Sequence, residues 1–312
     1  MTGKSGELAK MLEERRVSVA CVQEIRWKGC MARDLGNGYK LLYSGEENGR
    51  NGVGVVVNEQ LKDCVVEVKR SSSRLMLVKI VWQGIVLNVV SAYAPQVGLD
   101  EEEKLKFWRE FDDLLFAVDK KERLIVGGDL NGHVGEKCGR YGGVHGDKGF
   151  GVLNNKGEMI LEAAVAHNLF VVNTNFKKKP QHLITYSSQV GVSQIDYFLV
   201  RREDLKECKD CKVLPGETLE GHHRLLVLDL RMTVKKSKGK RVLAEGIKWK
   251  KLKGKESILR RKLLEEVDWE WEGSAEEMWK RTSLVIENGC KEVLGVYKVG
   301  SRFFGEGYLV VE

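Results

Sequence analysis

The sequence predicts an α/β fold in which two β-sheets pack on each other and helices cover the outside. Many short runs of Val, Ile and Leu have the length of buried strands, and only a few amphipathic segments lie between them. About 230 residues of this pattern suit packed sheets with outer helices. The 42% hydrophobic and 31% charged residues are ordinary for a globular chain, which argues against wholesale disorder or a coiled-coil rod.

Each element has its own sequence signal. A short helix is predicted at 5–16, where Leu8, Met11 and Leu12 recur at helical spacing, and the run VSVACV predicts the buried strand after it. Two longer helices are predicted at 101–118 and 156–167. The other predicted strands are 53–57, 64–69, 75–82, 85–93, 123–127, 169–173, 195–200 and 225–230.

The charge pattern separates a core domain, 1–232, from a basic linker and helical tail, 233–312. Residues 231–262 hold 14 Lys/Arg and 2 Glu, a net +12, whereas the whole chain is +7, so the remainder is −5. This basic stretch suits contact with nucleic-acid phosphates or a nuclear-localisation signal. A solvated linker without a partner is an equally good interpretation.

Several classes of protein are excluded or disfavoured. The longest apolar runs, such as 53–57 and 85–90, are far shorter than the roughly 18 residues that span a bilayer, so no membrane partner is expected. The charged N-terminal segment lacks the apolar stretch of a signal peptide, which predicts an intracellular protein. Cys208 and Cys211 form a Cys-x-x-Cys without a second pair, so a surface turn is expected there rather than a zinc site.

Polar residues stand at the ends of several predicted strands. A single such residue is more often a cap or a surface charge, but together these supply carboxylates for a hard cation, an amide and a phenol for a phosphate, and an Asp and a His that could pair. The set predicts metal-assisted phosphoryl transfer. GGDLNGHVG lacks the Lys-Ser/Thr of a P-loop, which argues against NTP binding. The residues are Glu24, Tyr93, Asp129, Asn131, Asp196 and His223.

Five segments occur in the order of a known family. CVQEIRWKG, SAYAP, GGDLNGHVG, SQIDYFLVRR and HHRLLVLDL resemble the endonuclease/exonuclease/phosphatase family over residues 7–230. More narrowly, GEMILEAAVAHNLFVVNTNFKKK and HLITYSS resemble the endonuclease domain of RTE-type non-LTR retrotransposons and its craniofacial development protein 2-like derivatives. The resemblance implies a four-layer α/β sandwich, with a Mg²⁺-dependent site, or a Mn²⁺-dependent one, at one edge of the two sheets.

The resemblance also implies a role for each residue. Glu24 would be the metal ligand, and Asp129 would orient or activate the attacking water. Asn131 and Tyr93 would hold the scissile phosphate. His223 would stabilise the pentavalent phosphate or shuttle a proton, with Asp196 fixing its tautomer.

The sequence departs from the family pattern in two places. The family's first strand, which ends in a metal-site Asn, is expected to be missing before 5–16, leaving an exposed sheet edge. The family's Ser-Asp-His reads Gly221-His222-His223 here, and imidazole is a poor ligand for Mg²⁺.

Three functions therefore compete. The first is a Mg²⁺-dependent DNA endonuclease of retrotransposon origin, acting in the nucleus, with DNA contacts from Lys177, Lys178, Lys235, Lys236 and Arg241. The second is a catalytically impaired, truncated derivative that binds nucleic acid or another protein. The third, a phosphatase or phosphodiesterase for small esters or lipids, is disfavoured by the basic stretch and the narrower resemblance. For Lys177 and Lys178, a solvated turn before Pro180 is an equal alternative.

Overall fold

The computed structural model describes residues 4–96, 98–216, 222–232, 245–266, 275–298 and 307–311. The chain divides into two compact units, one formed by 1–235 with 303–312 and the other by 236–302. The predicted division at residue 232 differs from this in the assignment of 307–311, which belong to the first unit. A separate basic linker and helical tail stays a prediction.

Two sheets form the centre of the first unit. Sheet one has seven strands, in the spatial order β13 (Cys208–Leu214), β14 (Leu225–Leu230), β17 (Gly307–Val311), β1 (Val17–Val22), β4 (Val53–Val57), β3 (Tyr39–Ser44) and β2 (Cys30–Gly36). Sheet two has six strands, in the order β5 (Val65–Arg70), β6 (Leu75–Trp82), β7 (Ile85–Tyr93), β8 (Arg123–Asp129), β12 (Asp196–Arg201) and β9 (Leu169–Val171). A two-stranded hairpin consists of β10 (Tyr186–Ser187) and β11 (Val192–Ser193).

The two sheets face each other across an apolar core. Val55 and Leu228 of sheet one and Val78, Val89 and Phe198 of sheet two are fully buried in one cluster. Their strands are buried on both faces, which explains why they read as continuous apolar runs in the sequence. Burial of this apolar surface is the main force holding the sheets together.

Helices cover the outer faces of both sheets. On sheet one, α1 (Ser5–Glu14) buries Leu8 and Leu12 against β1, β3 and β4. On sheet two, α3 (Glu101–Phe116) and α4 (Asn155–Ala166) bury Phe107, Phe111 and Ile160 against that sheet's other face. A short helix, α2 (Glu59–Lys62), follows β4. The four-layer α/β sandwich is therefore confirmed.

The second unit has its own small core. It contains α5 (Glu256–Glu266), α6 (Ala275–Leu294) and a ladder of β15 (Glu245–Ile247) with β16 (Val296–Lys298). Leu259, Cys290 and Leu294 are buried there. No helix among the described residues is both long and apolar enough to cross a lipid bilayer.

Two expectations about sheet one are wrong. Cys208 and Cys211 do not lie in a surface turn, because both are buried on β13, where an irregularity at Cys208–Asp210 interrupts the pairing. The open edge expected beside β1 is filled, since β17 pairs parallel with β1 on one side and antiparallel with β14 on the other.

Candidate active site

Strand pairing in sheet two brings three of the predicted residues together. Tyr93 is the register partner of Asp129 across the parallel β7–β8 ladder, and Asp129 is the partner of Asp196 across the antiparallel β8–β12 ladder. The three residues therefore lie side by side at one end of these three strands, which are spaced about 4.8 Å apart. Both aspartates are almost fully buried, at 3% and 2% exposure.

Sheet one places two further predicted residues at the same end of the sandwich. Glu24 follows β1, and the Tyr93 hydroxyl donates a 2.6 Å hydrogen bond to its Oε1. His223 precedes β14, and its Nδ1 lies 3.2 Å from Asp196 Oδ2. Each of these contacts joins one sheet to the other.

The histidine lies between two buried carboxylates. His223 Nε2 is 4.0 Å from Asp129 Oδ2, on the side of the ring opposite the Asp196 contact. The ring of Tyr186 packs edge-on against it, with centroids 5.0 Å apart. The side chain keeps 30% exposure, so the imidazole is held by these three residues and remains partly open to solvent.

Burial and charge shift the ionisation of this cluster. Burial alone lowers the pKa of His223, but the neighbouring carboxylates of Asp196 and Asp129 outweigh it and raise the pKa to about 9. Burial and the charge of Asp196 raise the pKa of Asp129 well above its ordinary value. His223 is therefore protonated at neutral pH in the metal-free protein, where it compensates the charge of the two aspartates.

The loop after β8 fixes Asp129 and Asn131. The Asn131 backbone N–H donates to Asp129 Oδ1 at 2.9 Å, and the Asn131 side-chain amide donates to Ala94 O at 2.8 Å. Asn131 has a left-handed backbone, with φ 48°. Helix α4 approaches this loop so closely that a Cβ on Gly157 would lie 1.7 Å from His133 O, so Gly is required there.

Glu24 is held by three side chains. Besides Tyr93, Arg26 Nη2 donates to Glu24 Oε2 at 2.6 Å and Gln96 Nε2 approaches Oε1 at 3.4 Å. Burial raises the pKa of Glu24, but the hydrogen bonds from Tyr93 and Arg26 lower it overall, so the carboxylate is ionised. Glu24 itself has φ 49°, an uncommon conformation for a residue other than Gly that the surrounding contacts must maintain.

The donor set suits a divalent cation. Ligand atoms of Asp129, Asp196 and His223 lie within 4.8 Å of one another. Asp196 Oδ1 is buried and accepts no hydrogen bond from the described residues, so it has an unused acceptor. Carboxylate oxygens are the ligands that Mg²⁺ prefers, and an imidazole suits Mn²⁺ or Zn²⁺ better. Asp129 and Asp196 therefore offer the carboxylate oxygens that a hard cation needs, and the role of Glu24 as a metal ligand stays a prediction.

The predicted nucleic-acid contacts have different surroundings. Lys177 is exposed, whereas Lys178 forms an ion pair with Asp210 and lies 6.0 Å from the Phe176 ring centroid. Lys235, Lys236 and Arg241 lie outside the described residues. His222, at the position of the family's Asp, is exposed, and its Nδ1 lies 2.9 Å from Ser187 O. The site roles assigned to all these residues stay predictions.

The sequence interpretation missed several neighbours of the site. Gln96 donates to the Tyr93 hydroxyl at 2.8 Å, and Arg74 packs its guanidinium over the Tyr93 ring at 5.2 Å. Thr185 Oγ1 accepts the backbone N–H of Asp196 at 3.1 Å. Only Gln96 had a visible signal, since it follows SAYAP directly. A cavity of about 460 Å³ opens beside Tyr93, with Glu46, Arg50, Arg74 and Gln96 among its lining residues.

The chain is similar to two curated proteins. It is 26% identical over 236 residues to craniofacial development protein 2 from Bos taurus, which covers 75% of this chain and 39% of that protein. It is 25% identical over 236 residues to the same protein from Tragulus javanicus, and that alignment covers 75% of this chain and 41% of the relative. The chain thus spans about two fifths of the length of these relatives. No protein-family profile matches it.

Solved structures share the fold. The endonuclease domain of TRAS1, a telomere-specific non-LTR retrotransposon, aligns with a TM-score of 0.54 and 16% identity, over 73% of this chain and 91% of that one. An AP endonuclease from Leishmania major aligns with a TM-score of 0.55 and 14% identity, over 74% of this chain and 83% of that one. An AP endonuclease from Archaeoglobus fulgidus aligns with a TM-score of 0.54 and 17% identity, over 73% of this chain and 94% of that one.

The layers and these similarities define the fold. The chain has the fold of the endonuclease/exonuclease/phosphatase enzymes, as its five sequence segments predicted. Within that fold, its sequence is similar to craniofacial development protein 2.

Proposed function

We propose that the protein is a Mg²⁺-dependent DNA endonuclease that hydrolyses phosphodiester bonds, with Mn²⁺ as a substitute metal. The observation that supports this most is the convergence of Asp129, Asp196 and His223 beside Glu24 and Tyr93 at one edge of the sandwich. The TRAS1 endonuclease domain shares the fold, and the RTE-like segments support descent from a non-LTR retrotransposon. The basic stretch 231–262 supports nucleic acid as the partner and a nuclear location.

The chain's own residues would perform hydrolysis as follows. Asp129 accepts a proton from a water molecule as the water oxygen bonds to phosphorus. The bond from phosphorus to the leaving oxygen breaks and that oxygen takes up a proton from solvent water, so one DNA end keeps the phosphate and the other becomes a hydroxyl. Asn131 and Tyr93 hold the phosphate, and protonated His223 stabilises its added negative charge. Asp196 keeps the imidazole oriented through Nδ1.

A divalent cation held by Glu24 and the aspartates would supply Lewis-acid stabilisation of the phosphoryl oxygens. Glu24 is already ionised and oriented by Arg26 and Tyr93. The unused acceptor on Asp196 Oδ1 gives a further point of attachment.

A plasmid-nicking assay tests this function. Purified protein should convert supercoiled plasmid to the nicked form with Mg²⁺, and EDTA should abolish the conversion. His223→Ala should lower the rate about 1000-fold, whereas His222→Ala, a neighbouring exposed histidine that contacts a backbone carbonyl, should leave it within about threefold. A folded wild-type protein that fails to nick with either Mg²⁺ or Mn²⁺ would overturn the proposal and favour the catalytically impaired derivative.

A further inference from the structure

Strand β17 occupies a central position in sheet one although it is far from its neighbours in sequence. Residues 307–311 separate β1 from β14. All five pair with β14, and 308–311 pair with β1, with an irregularity between Val17 and Val19. The second compact unit, 236–302, lies between β14 and β17 in the sequence. A segment at the far end of the described chain therefore completes a sheet that begins at residue 17.

The two neighbours of β17 are the strands that hold the sheet-one half of the candidate site. Glu24 follows β1 and His223 precedes β14. Val311 is the register partner of Cys21 on β1 and of Leu226 on β14. Cys21 is three residues before Glu24, and Leu226 is three residues after His223. The same end of β17 therefore fixes the positions of Glu24 and His223 along the strand direction.

The contacts to sheet two do not replace this constraint. Glu24 is tied to Tyr93 and Gln96, and His223 to Asp196, so each half of sheet one is attached to sheet two through its own side-chain contacts. With β17 displaced, β14 and β1 would face each other across a gap of about two strand spacings, or roughly 10 Å, with unpaired backbone groups on both sides.

We propose that residues 307–311 are a positioning segment for the active site, which sets the separation and register of Glu24 relative to His223. The inference rests on the proposed endonuclease function, but it concerns a different part of the chain. A change in β17 removes no catalytic side chain but misaligns two of them. We therefore expect a loss in kcat with little change in KM.

The register can be tested in the full-length chain by disulfide formation. Val311→Cys places a thiol opposite Cys21 on a neighbouring strand, and the expected Cα separation of about 4.8 Å lies in the range that disulfides span. Mild oxidation and peptide mapping should show a bond to Cys21. Val310→Cys is the matched control, because its register partner is Ala20, and it should not form that bond.

The positioning role can be tested with Leu309→Pro, which removes a backbone N–H from the ladder, against Leu309→Ala, which keeps it. Leu309→Pro should lower kcat about 100-fold with KM within about threefold, and Leu309→Ala should lower kcat much less. Hydrogen exchange should accelerate in β1 and β14 of the proline variant and stay slow in β6 and β7. Unchanged kcat, or unchanged exchange in β1 and β14, would overturn the proposal.

The outcomes separate this inference from the proposed function. If the wild-type protein does not nick DNA, the endonuclease assignment fails, while exchange and disulfide mapping still report whether β17 joins β1 to β14. If Leu309→Pro unfolds the whole chain, the oxidised Val311→Cys protein tests the positioning role instead. Its kcat in moderate urea should exceed that of its reduced form, and equal values would contradict a positioning role.

Discussion

The two sheets contribute to the candidate site in different ways. Sheet two supplies Tyr93, Asp129 and Asp196 from three adjacent strands in direct register. Sheet one supplies Glu24 and His223 from strands that β17 separates. The sheet-two half is therefore fixed by its own ladders, whereas the sheet-one half depends on a distant segment and on side-chain contacts between the sheets.

The largest expected effect comes from the sheet-two half. Asp129→Asn should lower the nicking rate about 1000-fold, because the proton acceptor for the attacking water is lost. The same variant should melt at an equal or higher temperature in EDTA, since burial and Asp196 already disfavour the Asp129 charge. Asp34→Asn, an exposed carboxylate on β2, should change neither measurement. A less stable Asp129→Asn would argue against electrostatic strain between the two aspartates.

A smaller effect is expected where the sheets meet. Tyr93→Phe removes the hydrogen bond to Glu24 Oε1 and should reduce the nicking rate about 10- to 100-fold. The loss should be partly recovered at higher Mg²⁺ concentration, because Glu24 remains present but is less well oriented. Tyr43→Phe, whose hydroxyl makes a 3.4 Å contact with Lys28 O, is the matched control. Equal rates for the two variants would show that the Tyr93 hydroxyl has no role in the site.

The histidine gives a pH dependence that can be measured without activity. The pKa of His223 is raised from 6.5 to about 9, so its stabilising contribution is complete below pH 6.5 and is lost as the pH rises through about 9. Asp129 acts in the same direction, because its pKa is raised too. With the ring 30% exposed, solvent screening limits the change to about 1–2 kcal/mol.

The measurement is the unfolding free energy in EDTA between pH 6 and 10 for the wild type and His223→Gln. The wild-type curve should fall more steeply than that of the variant across this interval. Parallel curves would mean that His223 is not protonated between the two aspartates.

The smallest effect concerns the two lysines of the 177–178 pair. Lys177 is exposed, whereas Lys178 forms an ion pair with Asp210. If Lys177 contacts a phosphate, Lys177→Gln should reduce the slope of log K against log salt for duplex DNA by about 0.9. Lys178→Gln should reduce it less. An equal slope for Lys177→Gln and the wild type would remove Lys177 from the DNA contacts.

Most of the fold could be predicted because its central strands are apolar on both faces. Runs such as 75–82 and 85–93, rich in Val, Ile and Leu, are typical of buried strands in a globular chain. β2 was missed because CMARDLG is almost fully exposed, and β13 because Lys and Asp interrupt CKDCKVL. β17 was missed because its place depends on pairing with residues far away, which local pattern does not reveal.

The positions of the candidate residues and the contact of Asp196 with His223 were predictable from the sequence, but the contacts that support them were not. Strand ends identified Glu24, Tyr93 and Asp129, and the family resemblance assigned their roles. Neither indicated that Arg26 would hold Glu24 or that Thr185 would support Asp196, since both contacts depend on how loops return to the sheet edge. Gln96 could have been found, because a polar residue directly follows a segment already singled out.

The position of β17 also determines when sheet one can form in full during synthesis. Cys21 and its partner Val311 are separated by 290 positions, so their pairing closes a very long loop and is expected to be late in folding. At about 5–20 residues per second, β17 follows β14 out of the ribosome by roughly 4–16 seconds. During that interval the nascent chain already contains Glu24, Asp129 and His223 but has not yet joined the strands that align them. On the proposed function, full nicking activity would therefore be acquired only by chains whose synthesis has passed residue 311.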